Sequence, residues 1–186
     1  MPSLQIAYVW HASKFTREVL IPCNTEDSFE TIFAVNHLAH YLLARLLMPH
    51  LANEATVLFT TSDMHDAGTN PIAPSYHADA HRLAHPQPEP GRKSRPFIEG
   101  IQAYPGSKLC NVLTARALAS LPSALTQGLH VIAYNPGFTP GTNLSRSGPL
   151  AVRTLSSREI HEIGSAWLAG PNGRRYLYFS GGIASK

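Results

Sequence analysis

The chain lacks most of the features that assign a protein to a class at once. It has two cysteines in 186 residues, Cys23 and Cys110. They are too far apart for metal-ligand or redox spacing, which excludes a disulfide-stapled or thiolate-zinc fold and makes both free thiols of a reducing compartment. No stretch reaches the roughly 18 consecutive apolar residues of a membrane span, and residues 1–10 lack the basic start and long apolar run of a leader. A cytoplasmic protein with no membrane partner is expected. Charged residues make up only 15% of the chain, with 15 Lys and Arg against 12 Asp and Glu. They are scattered, without a basic run interleaved with aromatics, which argues against nucleic acid as a partner. No glycine precedes Gly68, so the first third holds no glycine-rich turn of the kind that cradles phosphates.

What is present is a core. At 44% hydrophobic residues, the chain is long enough to bury one sizeable apolar interior. Leu4 to Trp10, Thr56 to Thr61 and His130 to Tyr134 are short apolar runs without helical period, and read as buried strands. Arg175 to Ser180 reads as a last short strand. Between them lie three expected helices. One starts at the Thr25-Glu26-Asp27 cap and ends near His50, one runs from about Tyr104 to Ser120, and one covers Glu159 to Ala169 behind a Ser156-Ser157 cap. Strands alternating with helices indicate an α/β fold with a parallel sheet covered on both faces.

Residues 63–102 break this rhythm with Pro71, Pro74, Pro86, Pro88, Pro90 and Pro96 and little apolar period. A connection of this length without regular structure is expected to be a surface insertion serving as lid or binding loop. Within it, His77, His81 and His85 recur every four residues and would share a face on a helix, but prolines follow closely and no cysteine is near. No metal site is assigned, and the histidines read as solvent-exposed. His65 and Asp66 follow Ser62 closely and are either substrate contacts or a pair that anchors the loop. His37 and His40 fall on neighbouring faces of the first helix, His40 as a packing residue.

The residues that carry chemistry begin with Tyr104-Pro105-Gly106-Ser107-Lys108. A tyrosine and a lysine four apart on a helix lie one above the other, close enough for the ammonium to act on the phenol. A phenol with an ordinary pKa of about 10 is a poor proton donor or acceptor near neutrality, and an adjacent cation lowers the cost of the phenolate. Tyr104 can then serve as a general acid or base. Asn36 sits on the apolar stripe of its helix, where a polar side chain must find partners or cost roughly 1–3 kcal/mol.

Four segments in chain order resemble the short-chain dehydrogenase/reductase family. They are Phe33-Ala34-Val35-Asn36-His37-Leu38-Ala39-His40-Tyr41, Val57-Leu58-Phe59-Thr60-Thr61-Ser62, Tyr104 to Lys108, and Asn135-Pro136-Gly137-Phe138 with Thr142 downstream. The first and third, with Ser-Lys-Leu-Cys-Asn-Val-Leu after the tyrosine, look most like the branch containing protochlorophyllide reductases and retinol dehydrogenases. The resemblance implies a doubly wound, Rossmann-like parallel sheet. It implies hydride transfer between NADP or NAD, NADP being favoured, and a small-molecule carbonyl, alcohol or conjugated double bond. It assigns catalytic roles to Asn36, Ser62, Tyr104 and Lys108, and cofactor contacts to Tyr104, Lys108, Pro136, Gly137, Phe138 and Thr142. Ser62 holds the substrate oxygen, Tyr104 moves the proton, Lys108 tunes the tyrosine and holds the ribose, and Asn36 orders a water. A homo-oligomer is also implied, through the helices starting at Thr25 and Tyr104. Leu42, Leu46 and Leu47 would face Leu109, Leu113 and Leu118.

Relative to that family, the chain is expected to be the C-terminal part of the domain, lacking its first three strands and the pyrophosphate-binding turn. His11-Ala12-Ser13 stands where Asn-Ala-Gly follows the fourth strand. Residues 1–186 are therefore expected to form one partial domain whose Leu4 to Trp10 strand has an unpaired edge, a pairing and aggregation liability. The residue that distinguishes NAD from NADP would lie on the missing second strand. Two readings stay open: a hydride-transferring reductase, and a non-catalytic fragment that only folds and dimerises.

Overall fold

The structure is a computed structural model that describes residues 4–9, 23–71, 73–87, 96–135, 165–169 and 175–179. Strand β1, Leu4–Val9, pairs in parallel with β2, Leu51–Thr60, and β2 pairs in parallel with β3, His130–Tyr134, giving the order β1-β2-β3. Regular pairing of β1 starts at Ile6 opposite Thr56, after an irregularity that follows Leu4 opposite Leu51. Glu54, at φ 61°, sits in the intervening stretch. The run that pairs regularly is thus the β-rich Thr56 to Thr60, and the earlier residues of β2 join the sheet through a distorted start.

The first crossover is a composite helix. It comprises α1, Thr31–Phe33, a π turn at Ala34–Leu38, α2, Ala39–Leu47, and a 3-10 turn at Met48–His50. It begins six residues later than expected. Ser28, at φ 64°, turns the chain, and Thr25 N–H donates to the Phe29 carbonyl, so the segment from Thr25 closes on itself. Glu30 is the cap instead. Its carboxylate accepts from Ile32 N (3.0 Å) and Phe33 N (2.6 Å), satisfying two N–H groups that the first helical turn leaves orphaned.

The second crossover holds a 3-10 turn at Asp63–His65, then α3, Ala80–Ala84, and α4, Pro96–Ser120. Residues 63–102 are therefore not free of regular structure. Asp79 caps α3 by accepting from His81 N and Arg82 N, and Ala84 and Leu83 pack in a cluster with Phe33, Cys110 and Phe29. Helix α4 begins eight residues before Tyr104. Pro96 is tolerated in a first turn, and positions 97, 101 and 104 continue the apolar spacing. Pro105 consequently lies inside the helix, where it removes one backbone donor.

After α4, the short α5, Pro122–Thr126, ends in a Schellman arrangement. Leu129 N donates to Ala124 O and Gly128 N to Leu125 O, and Gly128, at φ 68°, supplies the left-handed residue this turn needs. The main core lies between the sheet and α4, joining Ala55, Val57 and Phe59 of β2, Val131 and Ala133 of β3, and Val112, Ala115, Leu118 and Ala119. Burial alternates along β2, and Thr56, Leu58 and Thr60 are only half-buried. The face of β2 that carries Ala55, Val57 and Phe59 packs into the main core. Among the described residues, β1 is hydrogen-bonded to a neighbour on one side only.

Ser165–Ala169 is a strand, β4, paired antiparallel with β5, Arg175–Phe179. This corrects the helix expected over Glu159 to Ala169 in its described part. The segment pairs residue by residue with β5, from Ser165 opposite Phe179 to Ala169 opposite Arg175. No helix of the described residues is long and apolar enough to cross a membrane.

Candidate active site

The C-terminal end of β2 meets the middle of α4. Thr61 Oγ1 donates to the Lys108 carbonyl (3.0 Å), and Lys108 Nζ reaches back toward the Thr60 carbonyl (3.5 Å). The Nζ also lies 5.4 Å from the centroid of the Tyr104 ring, within cation–π range. The pairing expected from four-residue spacing is therefore formed. It is deeply buried, with Lys108 fully enclosed and Tyr104 8% exposed against Ile32. Burial brings the Lys108 amine down to about 7.

Asn36 joins from the composite helix, placed by the π turn. Its Nδ2 donates to Ser107 Oγ (3.2 Å), which in turn donates to the Tyr104 carbonyl (2.7 Å). Its Oδ1 is buried and has no hydrogen-bond partner among the described residues. Its carbonyl accepts from Asn111 Nδ2 (3.0 Å) and His40 Nδ1 (3.3 Å). His40, expected to be a packing residue, thus also supports this carbonyl.

Ser62 follows Thr61 directly and lies at the same strand end. Its Oγ accepts from Met64 N (3.3 Å), capping the 3-10 turn, and its hydroxyl faces Asp63 Oδ1 at 3.5 Å, too long to be a strong bond. That donor can turn to another oxygen at small cost. His65 Nδ1 is bonded to the Ser62 carbonyl, and Asp66 accepts from Gly68 N, so both hold the loop. Pro136, Gly137, Phe138 and Thr142 lie outside the described residues; the neighbouring Asn135 is buried at the end of β3.

Of His77, His81 and His85, the last two bring their rings to 5.1 Å, while His77 accepts from Asp79 N. His81 lies in α3, His77 precedes it, and His85 Nδ1 bonds the Ser28 carbonyl. Among the described residues, no three His, Cys, Asp or Glu side chains gather as a metal site.

Two residues that sequence reasoning passed over complete the network. Asn111, 2% exposed, also donates to the Thr60 carbonyl (3.0 Å), and its Oδ1 lies 2.8 Å from His37 Nδ1. The signal was available. Tyr104, Ser107, Lys108 and Asn111 fall at i, i+3, i+4 and i+7, the stripe of a helix that normally faces a core, and all four are polar or amphipathic.

No model of a known protein family matches the chain. Human retinol dehydrogenase 12 is 36% identical to it over 115 residues, which is 61% of this chain and 30% of that protein. Bovine (Bos taurus) dehydrogenase/reductase SDR family member 13 is 34% identical over 115 residues, 61% of this chain and 26% of that protein. The chain thus spans about a third or less of the length of these relatives. Among solved structures, an uncharacterised protein from Mycobacterium paratuberculosis superposes with a TM-score of 0.52 at 22% identity, covering 94% of this chain and 58% of that one, a likeness of fold. With a buried tyrosine and lysine one helical turn apart beside an asparagine from the preceding crossover, the likeness in sequence to these dehydrogenase/reductases bears out the resemblance to the short-chain dehydrogenase/reductase family.

Proposed function

We propose that the chain carries the catalytic part of an NAD(P)-dependent oxidoreductase that interconverts a small-molecule carbonyl and alcohol, within a doubly wound sheet. The observation that carries this reading is the enclosed Tyr104–Lys108 pair, with the Lys108 nitrogen 5.4 Å from the ring centroid. A buried amine next to a phenol is costly to keep for packing alone, and useful where a proton must move. The names of the relatives, a retinol dehydrogenase and a dehydrogenase/reductase, agree with it.

The described residues fit the nicotinamide–ribose end of such a cofactor. Lys108 offers ammonium donors to ribose hydroxyls, and Asn36 Oδ1 is a buried acceptor awaiting a donor. The nicotinamide, when bound, supplies or takes up the hydride. The chain's own residues do the rest. Ser62 donates a hydrogen bond to the substrate oxygen where charge develops, Tyr104 gives or takes the proton there, and Lys108 stabilises the phenolate. A second copy of the chain is the proposed partner, docked across the exposed leucines of α2 and α4.

Titrating the chain with NADPH and following its fluorescence tests the reading. Saturable binding, with Tyr104→Phe keeping affinity but losing about 100-fold or more in carbonyl turnover, is the expected outcome. No saturable binding of either NADPH or NADH overturns it.

A further inference from the structure

We propose that Asn111 is a positioning residue of this site, its amide held in one orientation by a neutral, Nδ1-protonated His37 so that it ties the Asn36 turn to the strand end beneath Lys108. The functional half of this inference rests on the reading above; the structural half does not.

Asn111 is almost fully buried, and both groups 3.0 Å from its amide are backbone carbonyls, those of Asn36 and Thr60. Carbonyls only accept, so the atom facing them must be the NH₂ group, which has one proton for each. The amide oxygen then points the other way, at His37 Nδ1, 2.8 Å off. An amide oxygen also only accepts, so His37 Nδ1 carries hydrogen. Every proton in this chain of contacts is assigned by elimination. Burial also pulls the His37 pKa below its ordinary value, which agrees with a neutral ring.

The arrangement has a mechanical use. The π turn at Ala34–Leu38 displaces the backbone from regular helical bonding, with Ala39 N–H reaching back to Ala34 O, and such turns need outside support. Asn111 supplies it at Asn36, the residue whose side chain holds Ser107 behind Tyr104. The same amide group fixes Thr60, whose carbonyl is the backbone group facing Lys108 Nζ. One side chain on α4 thereby sets the spacing of two chain segments around the tyrosine–lysine pair. The Phe33 and Tyr41 rings lie 5.1 and 6.0 Å from the His37 ring.

The experiment is ¹⁵N NMR of histidine-labelled chain at neutral pH, with the His37 signals identified by their loss in His37→Asn. The expected result is a pyrrole-type Nδ1 and a pyridine-type Nε2, the reverse of the tautomer a free neutral imidazole prefers. An Nε2–H tautomer, or a charged ring, overturns the proposal. A second measurement reads function. His37→Asn keeps an N–H where Nδ1 stood, and His37→Leu does not. If both fold by circular dichroism, the leucine variant should lose about tenfold in NADPH affinity or turnover, as expected for one buried hydrogen bond, and Asn111→Leu, which removes three, should lose at least as much, while His37→Asn stays near wild type. Equal effects of Asn and Leu at position 37 overturn the positioning role. Failure of the wild-type chain to bind any nicotinamide nucleotide counts against the proposed function, while the tautomer still decides the network.

Discussion

Lys108 has no exposed surface, and burial holds its amine at about 7 against an ordinary value of 10.5. The sign of the consequence follows from proton counting. Below about pH 7 the folded and unfolded chains both carry the proton, and the penalty of burying it is constant. Between 7 and 10.5 the unfolded chain keeps a proton that the folded chain has released. Unfolding free energy therefore rises with pH in that window, by at most about 1.4 kcal/mol per unit from this group. Urea unfolding from pH 7 to 9 should show wild type gaining on Lys108→Met, whereas a constant difference between them would mean the amine is hydrated. The identity of this residue was legible in the sequence because the Tyr-x-x-x-Lys spacing is local. Asn111 and His37 were not, because what defines them is a contact between chain segments 74 residues apart. Helical spacing puts Asn111 on the right stripe but gives no hint of two carbonyls waiting for its amide.

Glu30 and Gly106 decide how elements begin and meet. Glu30 is 3% exposed, and its carboxylate accepts two helix N–H groups, while desolvation raises its pKa. Removing both bonds with Glu30→Ala should destabilise the chain by about 1–2 kcal/mol in urea unfolding, and Glu30→Gln, which keeps one acceptor, by less. The sequence pointed to Thr25 for this start because Thr-Glu-Asp has the composition of a cap. The left-handed backbone at Ser28, which uses up that segment in a turn, has no comparable sequence signal. At Gly106, an added Cβ would come within 2.6 Å of Leu83 Cδ2, so α3 packs against α4 at a helical position with no side chain. Alanine there favours the helix by up to about 1 kcal/mol and is opposed by the displaced leucine tip. Gly106→Ala should be near neutral or destabilising alone, and stabilising in a Leu83→Ala background. Additive effects in the double-mutant cycle would mean that α3 does not sit on α4. This docking is why α3, within a proline-rich stretch that lacks long apolar period, still belongs to the structure around Tyr104.

For the molecule as a whole, the parallel pairing of β1, β2 and β3 followed from alternating strands and helices, a pattern visible in hydrophobic spacing alone. Which leucines serve the core and which do not was only half legible, because an apolar stripe looks the same whether it faces a sheet or a second chain. Leu118 is 5% exposed in the main core and Leu47 packs against it, so both leave the set expected at an interface. Leu42 and Leu46, one turn apart on α2, are 58% and 62% exposed, and Leu113 on α4 is 39% exposed. Tyr41 and Leu43 extend the surface. An apolar surface spread over neighbouring turns and two helices suits a second copy better than water. Leu46→Glu isolates that role. With most of its side chain already in solvent, Leu46 contributes little to the folded monomer, so the exchange should leave monomer stability within about 0.5 kcal/mol. Across a dimer face the new carboxylate would be stripped of water beside leucines, and association should fail. Light scattering behind a sizing column should give twice the chain mass for wild type and the single-chain mass for the variant. A wild type already at single-chain mass, or a variant that still pairs, would mean that these leucines do not form the interface.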